Sequence, residues 1–125
     1  MKKRIRVTKI VEEKPLILFE GEANLKGNII SYFENDTLAL TTIEIRDNGL
    51  IINRHASDIK TELYLLKNEA KGQATTSEGV LPFGDIKILS YEKQSSYTKL
   101  TYQIEDVVTI RIDQLGEKKC LQEDL

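Results

Sequence analysis

The chain is poor in the residues that build crosslinks and catalytic centres: it has one cysteine, one histidine and no tryptophan among 125 residues. The single cysteine, Cys120, cannot form an intramolecular disulfide, which excludes a disulfide-stabilised secreted domain. His55 and Cys120 are too few for a zinc site of histidine and cysteine ligands, and His55 is the only imidazole available as a base. We therefore expect no enzymatic activity, no bound metal and no cofactor.

An excess of positive charge and long hydrophobic runs are missing as well. The 20 acidic residues outnumber the 18 lysines and arginines, whereas nucleic-acid binding favours a basic excess. No uncharged stretch exceeds the seven residues of 37–43, against about 20 for a membrane-spanning helix. The cations at the start of the chain are not followed by the unbroken apolar segment of an export signal. We expect a cytoplasmic protein with no nucleic-acid or membrane partner.

The chain does have hydrophobic residues that alternate with polar ones along most of its length, which is the period of a half-buried β-strand. In the first strand Ile5, Val7 and Val11 form the predicted buried face, and Arg4, Arg6 and Thr8 lie mostly on the other, so the basic cluster is assigned to the wet face. Ten strands are predicted in this way, at residues 3–13, 16–25, 29–34, 38–46, 50–54, 60–67, 73–77, 86–92, 97–105 and 107–114.

So many strands in one small domain leave few unpaired edges only if the sheet closes on itself. We therefore predict an all-β fold: a single antiparallel barrel, closed or nearly closed, of about 8–10 strands. The barrel spans residues 1–115, and residues 116–125 form a polar tail. Residues 68–72 are interpreted as a loop, residues 78–84 as a turn or a bulged strand, and at most one helical turn is expected.

The strongest local signal is the turn Asp47-Asn48-Gly49 between two predicted strands. Asn-Gly favours a type I′ turn because both residues tolerate positive φ, and such a tight hairpin sets the strand register. In that register Leu50, Ile52 and Arg54 share one face, and if this face points inward Arg54 lies in the barrel interior or at its mouth. An arginine there is costly unless it pairs with an internal carboxylate or with an anionic ligand, and an exposed Arg54 is the third alternative.

Several short segments together resemble a known family. They are Lys26-Gly27-Asn28 before a strand with Tyr32, the segment Thr41-Thr42-Ile43-Glu44-Ile45, Arg54 at a strand end, and Thr76-Ser77-Glu78-Gly79. In these segments the chain resembles the YwiB-like family over about residues 3–114. The resemblance implies a small cytoplasmic bacterial protein with a calycin-like (lipocalin-like) β-barrel and no established activity, so no catalytic residue is transferred. The chain departs from the family pattern at His55-Ala56, where the family has a glycine shortly after the arginine. It also departs at residues 74–79, where the usual aromatic residues are absent.

The candidate ligand-binding residues are Arg54, Thr42, Thr76, Tyr32 and Tyr64. Arg54 would orient an anionic group, such as the carboxylate of a fatty acid, while threonine hydroxyls and aromatic walls surround the rest of the ligand. The competing interpretation is that threonines are favourable strand residues and that the aromatic residues fill the core. The carboxylate pairs Glu12-Glu13, Glu34 with Asp36, and Glu105-Asp106 fall at turns and are interpreted as solvated charge.

Two functions remain. The first is binding of a small apolar or anionic ligand in the barrel interior, and the alternative is a non-enzymatic interaction module that acts through its outer surface or a sheet edge. The interior volume distinguishes them, because an eight-stranded barrel is either filled by side chains or holds one small ligand. The sequence leaves the oligomeric state and the identity of any ligand open.

Overall fold

The structure is a computed structural model that describes residues 1–34 and 38–116. Asp36, interpreted above as part of a turn, and the predicted tail beyond Gly116, with Cys120, lie outside the described residues. Within them the chain forms eleven antiparallel strands and no helix. The all-β prediction is therefore confirmed. The same part of the chain contains no helix that could cross a membrane and no cluster of three or more side chains suited to holding a metal ion.

The strands follow one another with short turns. In chain order they are β1 (Lys2–Val11), β2 (Lys14–Lys26), β3 (Ile29–Phe33), β4 (Leu40–Arg46), β5 (Gly49–Ala56), β6 (Ile59–Leu66), β7 (Glu69–Thr76), β8 (Gly79–Pro82), β9 (Lys87–Lys93), β10 (Tyr97–Gln103) and β11 (Val107–Gln114). All belong to one sheet, in the order β8-β7-β6-β5-β4-β3-β2-β1-β11-β10-β9. The first and last strands pair with each other, so both lie inside the sheet and neither is an edge strand.

The sheet curls into a half-barrel that is open between β8 and β9. These two strands are its edges, and although only residues 83–86 join them, the described residues form no ladder between them. β9 instead reaches the β4–β5 turn, where Tyr91 Oη donates to the Arg46 carbonyl at 2.6 Å and Lys93 Nζ contacts Asp47 at 3.1 Å. The prediction of a closed or nearly closed barrel is therefore corrected. The barrel is open rather than clearly closed, because β9 packs against the β4–β5 turn instead of pairing with β8.

The sequence also underestimated the number of strands. The predicted loop at residues 68–72 is the first half of β7, which begins directly after a two-residue turn at Lys67-Asn68. Gly72, which suggested a loop, is needed inside the strand because a Cβ there would lie 2.7 Å from the side chains of both Leu63 and Phe83. Residues 79–82, interpreted as a turn or bulged strand, form the edge strand β8.

The core lies on the concave face of the sheet, where alternate residues of eight strands point inward. Its buried members are Ile5, Val7, Phe19, Ala23, Ile30, Tyr32, Ile43, Leu50, Leu65, Leu100, Tyr102, Val108, Ile110 and Ile112. The removal of these side chains from water is the main force that holds the curled sheet together. The alternation of hydrophobic and polar residues in the sequence predicted which side chains of β1 and β5 belong to this buried face.

The β4–β5 hairpin forms where it was predicted, but its register and its turn type differ from the prediction. Arg46 pairs with Gly49, so Asp47 and Asn48 form the turn, and neither has a positive φ, whereas Gly49 has a φ of 150°. The predicted type I′ turn is therefore wrong at this position. Glycine is required here because a Cβ at residue 49 would overlap the carbonyl oxygen of Leu65 in the neighbouring strand. The backbone pattern of a type I′ turn occurs instead at Glu12 and Glu13, with φ of 52° and 64°.

Candidate functional site

The concave face contains a cavity of about 150 Å³, close to the ends of β3 and β5. Most of its wall is apolar, and the wall is formed by side chains of Val7, Leu18, Tyr32, Ile43, Ile52, Leu63, Tyr102 and Ile110. Its polar lining consists of Lys9, Glu34, Thr41, Arg54 and Thr61. A pocket with apolar walls and a few grouped polar side chains has the composition of a small-molecule site.

Arg54 faces this cavity and pairs with an internal carboxylate. Its Nε donates to Glu34 Oε2 and its Nη2 to Glu34 Oε1, both at 2.9 Å. Thr41 Oγ1 donates to the same Glu34 Oε2 at 3.0 Å. The Glu34 side chain is 15% exposed and that of Arg54 38% exposed. Of the three alternatives for Arg54, the structure shows pairing with an internal acid, and the interpretation of Glu34 as a solvated turn charge is wrong.

Local hydrogen bonds explain how these three side chains meet. The β4–β5 register places Thr41 directly opposite Arg54. The Glu34 backbone N–H donates to the Ala39 carbonyl at 2.8 Å, and the Leu38 N–H donates to the Glu34 carbonyl at 3.0 Å. These two bonds bring Glu34 back over the start of β4, because they close the segment that follows β3. The register of one hairpin and the closure of the preceding connection together build the polar corner of the cavity.

Tyr32 forms the aromatic part of the wall. Its ring stacks on Phe19, with ring centroids 4.3 Å apart and an interplanar angle of 20°. Burial raises the pKa of the Tyr32 phenol, the nearby Glu34 carboxylate raises the pKa further, and a hydrogen bond with Thr41 acts in the opposite direction. The hydrogen bond to Glu34 likewise raises the pKa of Arg54. Tyr32 therefore stays a neutral phenol and Arg54 a cation across the physiological pH range.

Lys9 is a cavity residue that is not among the candidate site residues predicted from the sequence. It lines the cavity beside Val7, and its ammonium group has no ion pair or hydrogen bond with any residue that the structure describes. Because Glu34 neutralises Arg54, Lys9 leaves the cavity lining with one uncompensated positive charge. A signal was available in the sequence, since Lys9 continues the buried alternation of Ile5 and Val7.

Three of the predicted site residues lie elsewhere. Thr42 is opposite Asn53, on the face of β4 that points away from the cavity, and Thr41 takes the position beside Arg54. Thr76 ends β7, where its Oγ1 accepts a hydrogen bond from the Glu78 N–H at 3.1 Å. Tyr64 lies on the same outward face as Lys71, whose ammonium is 5.2 Å from its ring centroid. The structure therefore brings together only Arg54 and Tyr32 of the five, and ligand binding by these two stays a prediction.

Comparisons with known proteins give information on the fold. No known family and no curated protein matches the sequence. The structure is similar to the crystal structure of the YwiB protein from Bacillus subtilis, with a TM-score of 0.56 and 11% sequence identity, over 92% of this chain and 91% of that chain. At this identity the similarity concerns the fold alone. It supports a YwiB-like fold and says nothing about a calycin-like classification.

Proposed function

We propose that the protein binds one compact anionic molecule in the concave cavity and does not transform it chemically. The observation that carries this proposal is the Lys9 ammonium, which has no ion-pair partner among the described residues, in a cavity where Arg54 and Glu34 pair with each other. A bound anion would give the Lys9 ammonium an ionic partner that the described residues do not supply. Lys9 thus determines the sign of the charge that the cavity prefers.

The size of the cavity narrows the ligand class. Its volume of about 150 Å³ matches the roughly 150 Å³ of an engineered cavity that holds benzene, and it is below the roughly 300 Å³ at which pockets for drug-sized ligands begin. This volume favours a short carboxylate with a ring or a branched chain over the fatty acid considered from the sequence. The hydrocarbon body would contact Ile43, Ile52 and Leu63, and the carboxylate would lie beside Lys9.

The polar corner of the cavity supports binding rather than catalysis. Tyr32 holds its proton because burial raises its pKa, and Arg54 holds its proton because of Glu34. General acid–base catalysis needs a group whose pKa lies near the working pH, and neither of these two side chains meets that condition. Glu34 is occupied by three hydrogen bonds from Arg54 and Thr41. These groups are arranged to keep their protonation states and to orient a ligand.

The test is a titration of the protein with a panel of compact carboxylates, benzoate and 3-methylbutanoate among them, and with the corresponding neutral amides. Calorimetry measures the affinities, and chemical-shift changes in the side chains of Ile43 and Ile52 report whether the ligand is in the cavity. We expect carboxylates to bind about tenfold or more tightly than their amides, since each lost hydrogen bond to a charged group costs about 1.5 to 3 kcal/mol. Equal affinities for acids and amides, or no binding by any carboxylate in the panel, would contradict the proposal.

A further inference from the structure

Tyr102 of β10 is a buried residue whose hydroxyl no described residue uses. It is 7% exposed and lines the cavity. Tyr91 and Tyr97 each donate their phenol hydrogen to a protein oxygen, whereas Tyr102 Oη has no hydrogen bond with a residue that the structure describes. Burial raises the pKa of the Tyr102 phenol, so the group keeps its proton. A buried tyrosine hydroxyl normally has a partner, and this one is therefore a donor that the protein leaves free.

The Tyr102 hydroxyl borders open space. In the described part of the chain, every side-chain nitrogen or oxygen that is completely sealed from solvent has a hydrogen-bond partner. Tyr102 Oη has none, so it is not sealed and a small molecule can reach it. The residue is otherwise buried and lines the cavity, so the cavity is the space that its hydroxyl reaches. A molecule in the cavity can therefore accept a hydrogen bond from Tyr102.

Lys9 and Tyr102 lie on the same side of the cavity, because β11 is the one strand between theirs in the sheet. Lys9 of β1 pairs with Ile110 of β11. Tyr102 of β10 pairs with Val108, the next inward residue of β11. The two side chains therefore extend into the cavity from either side of β11, offset by one inward position. At a volume of about 150 Å³, the cavity is small enough for one polar group of a ligand to contact both.

The charged groups of the opposite wall are already engaged. Arg54 donates twice to Glu34, and Thr41 donates to the same carboxylate. Glu34 is the one carboxylate that the described residues contribute to the cavity lining. The lining therefore offers no free carboxylate to a positively charged group of a ligand. Lys9 and Tyr102 instead offer hydrogen-bond donors, and an ammonium group cannot act as an acceptor.

We propose, as an inference that rests on the proposed function, that the Tyr102 hydroxyl donates a hydrogen bond to the same anionic group that Lys9 contacts. Tyr102 is thus a second residue that determines ligand specificity. A carboxylate accommodates both donors, because its two oxygens provide about four acceptor positions. The amino acid with the same carbon skeleton is excluded, since its ammonium group would lie near Lys9 and would find no free carboxylate. The ligand class is therefore a compact carboxylate without an amino group.

The first experiment removes the hydroxyl alone. The variant Tyr102→Phe is titrated calorimetrically with benzoate and with 3-methylbutanoate. We expect both affinities to fall about tenfold or more, since a hydrogen bond to a charged group contributes that much. The urea midpoint should be unchanged or higher, because the hydroxyl has no described protein partner to lose. Tyr97→Phe is the matched control: its hydroxyl donates to Glu92 on the outward face, so both affinities should stay unchanged.

The results of this titration separate the role of Tyr102 from ligand binding itself. Unchanged carboxylate affinities in Tyr102→Phe, or equal losses in Tyr102→Phe and Tyr97→Phe, would overturn the role of Tyr102 and leave the proposed function standing. Failure of the wild-type protein to bind any carboxylate would overturn both.

The second experiment examines the hydroxyl in the wild-type protein. Tyrosine is isotopically labelled at Cζ, and the Tyr102 signal is identified by its absence from Tyr102→Phe. Saturation with 3-methylbutanoate should move this signal and leave that of Tyr97 in place, because Cζ carries the hydroxyl that forms the new hydrogen bond. Valine, which is 3-methylbutanoate with an amino group beside the carboxylate, should bind about tenfold or more weakly. An unmoved Tyr102 signal, or equal affinities for valine and 3-methylbutanoate, would contradict the proposal.

Discussion

Arg54 and Glu34, twenty residues apart in the chain, form a two-point ion pair in which Nε and Nη2 each donate to a different carboxylate oxygen. Thr41, directly opposite Arg54 in the sheet, donates to the same carboxylate. The pair therefore connects the segment after β3 to the middle of the sheet. It also offsets the charge of Arg54 in the cavity, so in the proposed function Lys9 is the residue that selects an anionic ligand.

Replacement of Arg54 by alanine should lower the free energy of unfolding by about 1 to 3 kcal/mol. The loss is smaller than the roughly 3 to 5 kcal/mol of a fully buried pair, because Arg54 is 38% exposed and solvent screens its charge. Urea melts of Arg54→Ala, Glu34→Ala and the double variant measure the coupling. Arg46→Ala, which breaks the more exposed pair with Glu44, is the matched control and should cost less than about 1 kcal/mol. Additive losses in the double variant would contradict a direct interaction between Arg54 and Glu34.

Replacement of Lys9 by methionine should weaken benzoate binding about tenfold or more while leaving stability unchanged or slightly higher. The variant removes a cation that has no partner among the described residues but keeps most of the apolar stem. Lys60→Met, on the outward face of β6, is the control and should leave the affinity unchanged. Calorimetric titrations and urea melts of the three proteins measure both quantities. If Lys9→Met bound benzoate with unaltered affinity, Lys9 would not be part of the binding site.

Replacement of Gly49 by alanine should cost about 2 to 4 kcal/mol of stability. The new Cβ would overlap the Leu65 carbonyl oxygen, and the φ of 150° is unfavourable for any residue with a side chain. Gly79→Ala is the matched control, because Gly79 also has a positive φ, of 130°, but a Cβ there would contact no other atom. Its cost should stay near 1 kcal/mol. Equal losses in thermal or urea unfolding would show that the contact with Leu65 does not matter.

The double substitution Glu12→Asn with Glu13→Gly should stabilise the protein by about 1 to 2 kcal/mol. Both glutamates have positive φ, which costs an ordinary residue about 1 to 2 kcal/mol, and Asn-Gly is the preferred pair for this backbone. Asn48→Gly in the β4–β5 turn is the control, and it should give no gain because Asn48 does not have a positive φ. The urea midpoint is the measurement, and a gain in the control that matched the double substitution would refute the assignment of turn types.

Stability should fall as the pH rises above about 10. Burial raises the pKa of Tyr32 in the folded state, so the unfolded chain loses this proton first, and the stability present below pH 10.0 is lost progressively at higher pH. Tyr102 adds to the effect, because burial raises its pKa as well. Urea melts of wild type and Tyr32→Phe between about pH 8 and pH 11 measure the slope, which should be shallower in the variant. Parallel slopes would mean that Tyr32 ionises as easily in the folded state as in the unfolded chain.

The sequence by itself determined the properties that depend on near neighbours along the chain. The period of two identified most strands, and the Asp47-Asn48-Gly49 signal predicted the hairpin that places Leu50, Ile52 and Arg54 on the concave face. In the same way, the alternation of side chains along β1 indicates that Lys9 lies on the same face as Ile5 and Val7. These features were readable because side-chain direction in a strand is a local property. The cross-strand partner of Arg54 did not follow from that signal: a turn at Asn48-Gly49 would place Ile43 opposite Arg54, whereas the observed register places Thr41 there.

Only the tertiary structure decided which distant groups meet. Glu34 as the partner of Arg54, the stack of Phe19 on Tyr32, and the open edge between β8 and β9 all depend on how far the sheet curls. The need for glycine at position 49 comes from a carbonyl in β6, and the need for glycine at position 72 of β7 comes from the side chains of Leu63 and Phe83. In each case a contact between separate strands overrides the local preference of the residues, because close packing leaves no space for the alternative.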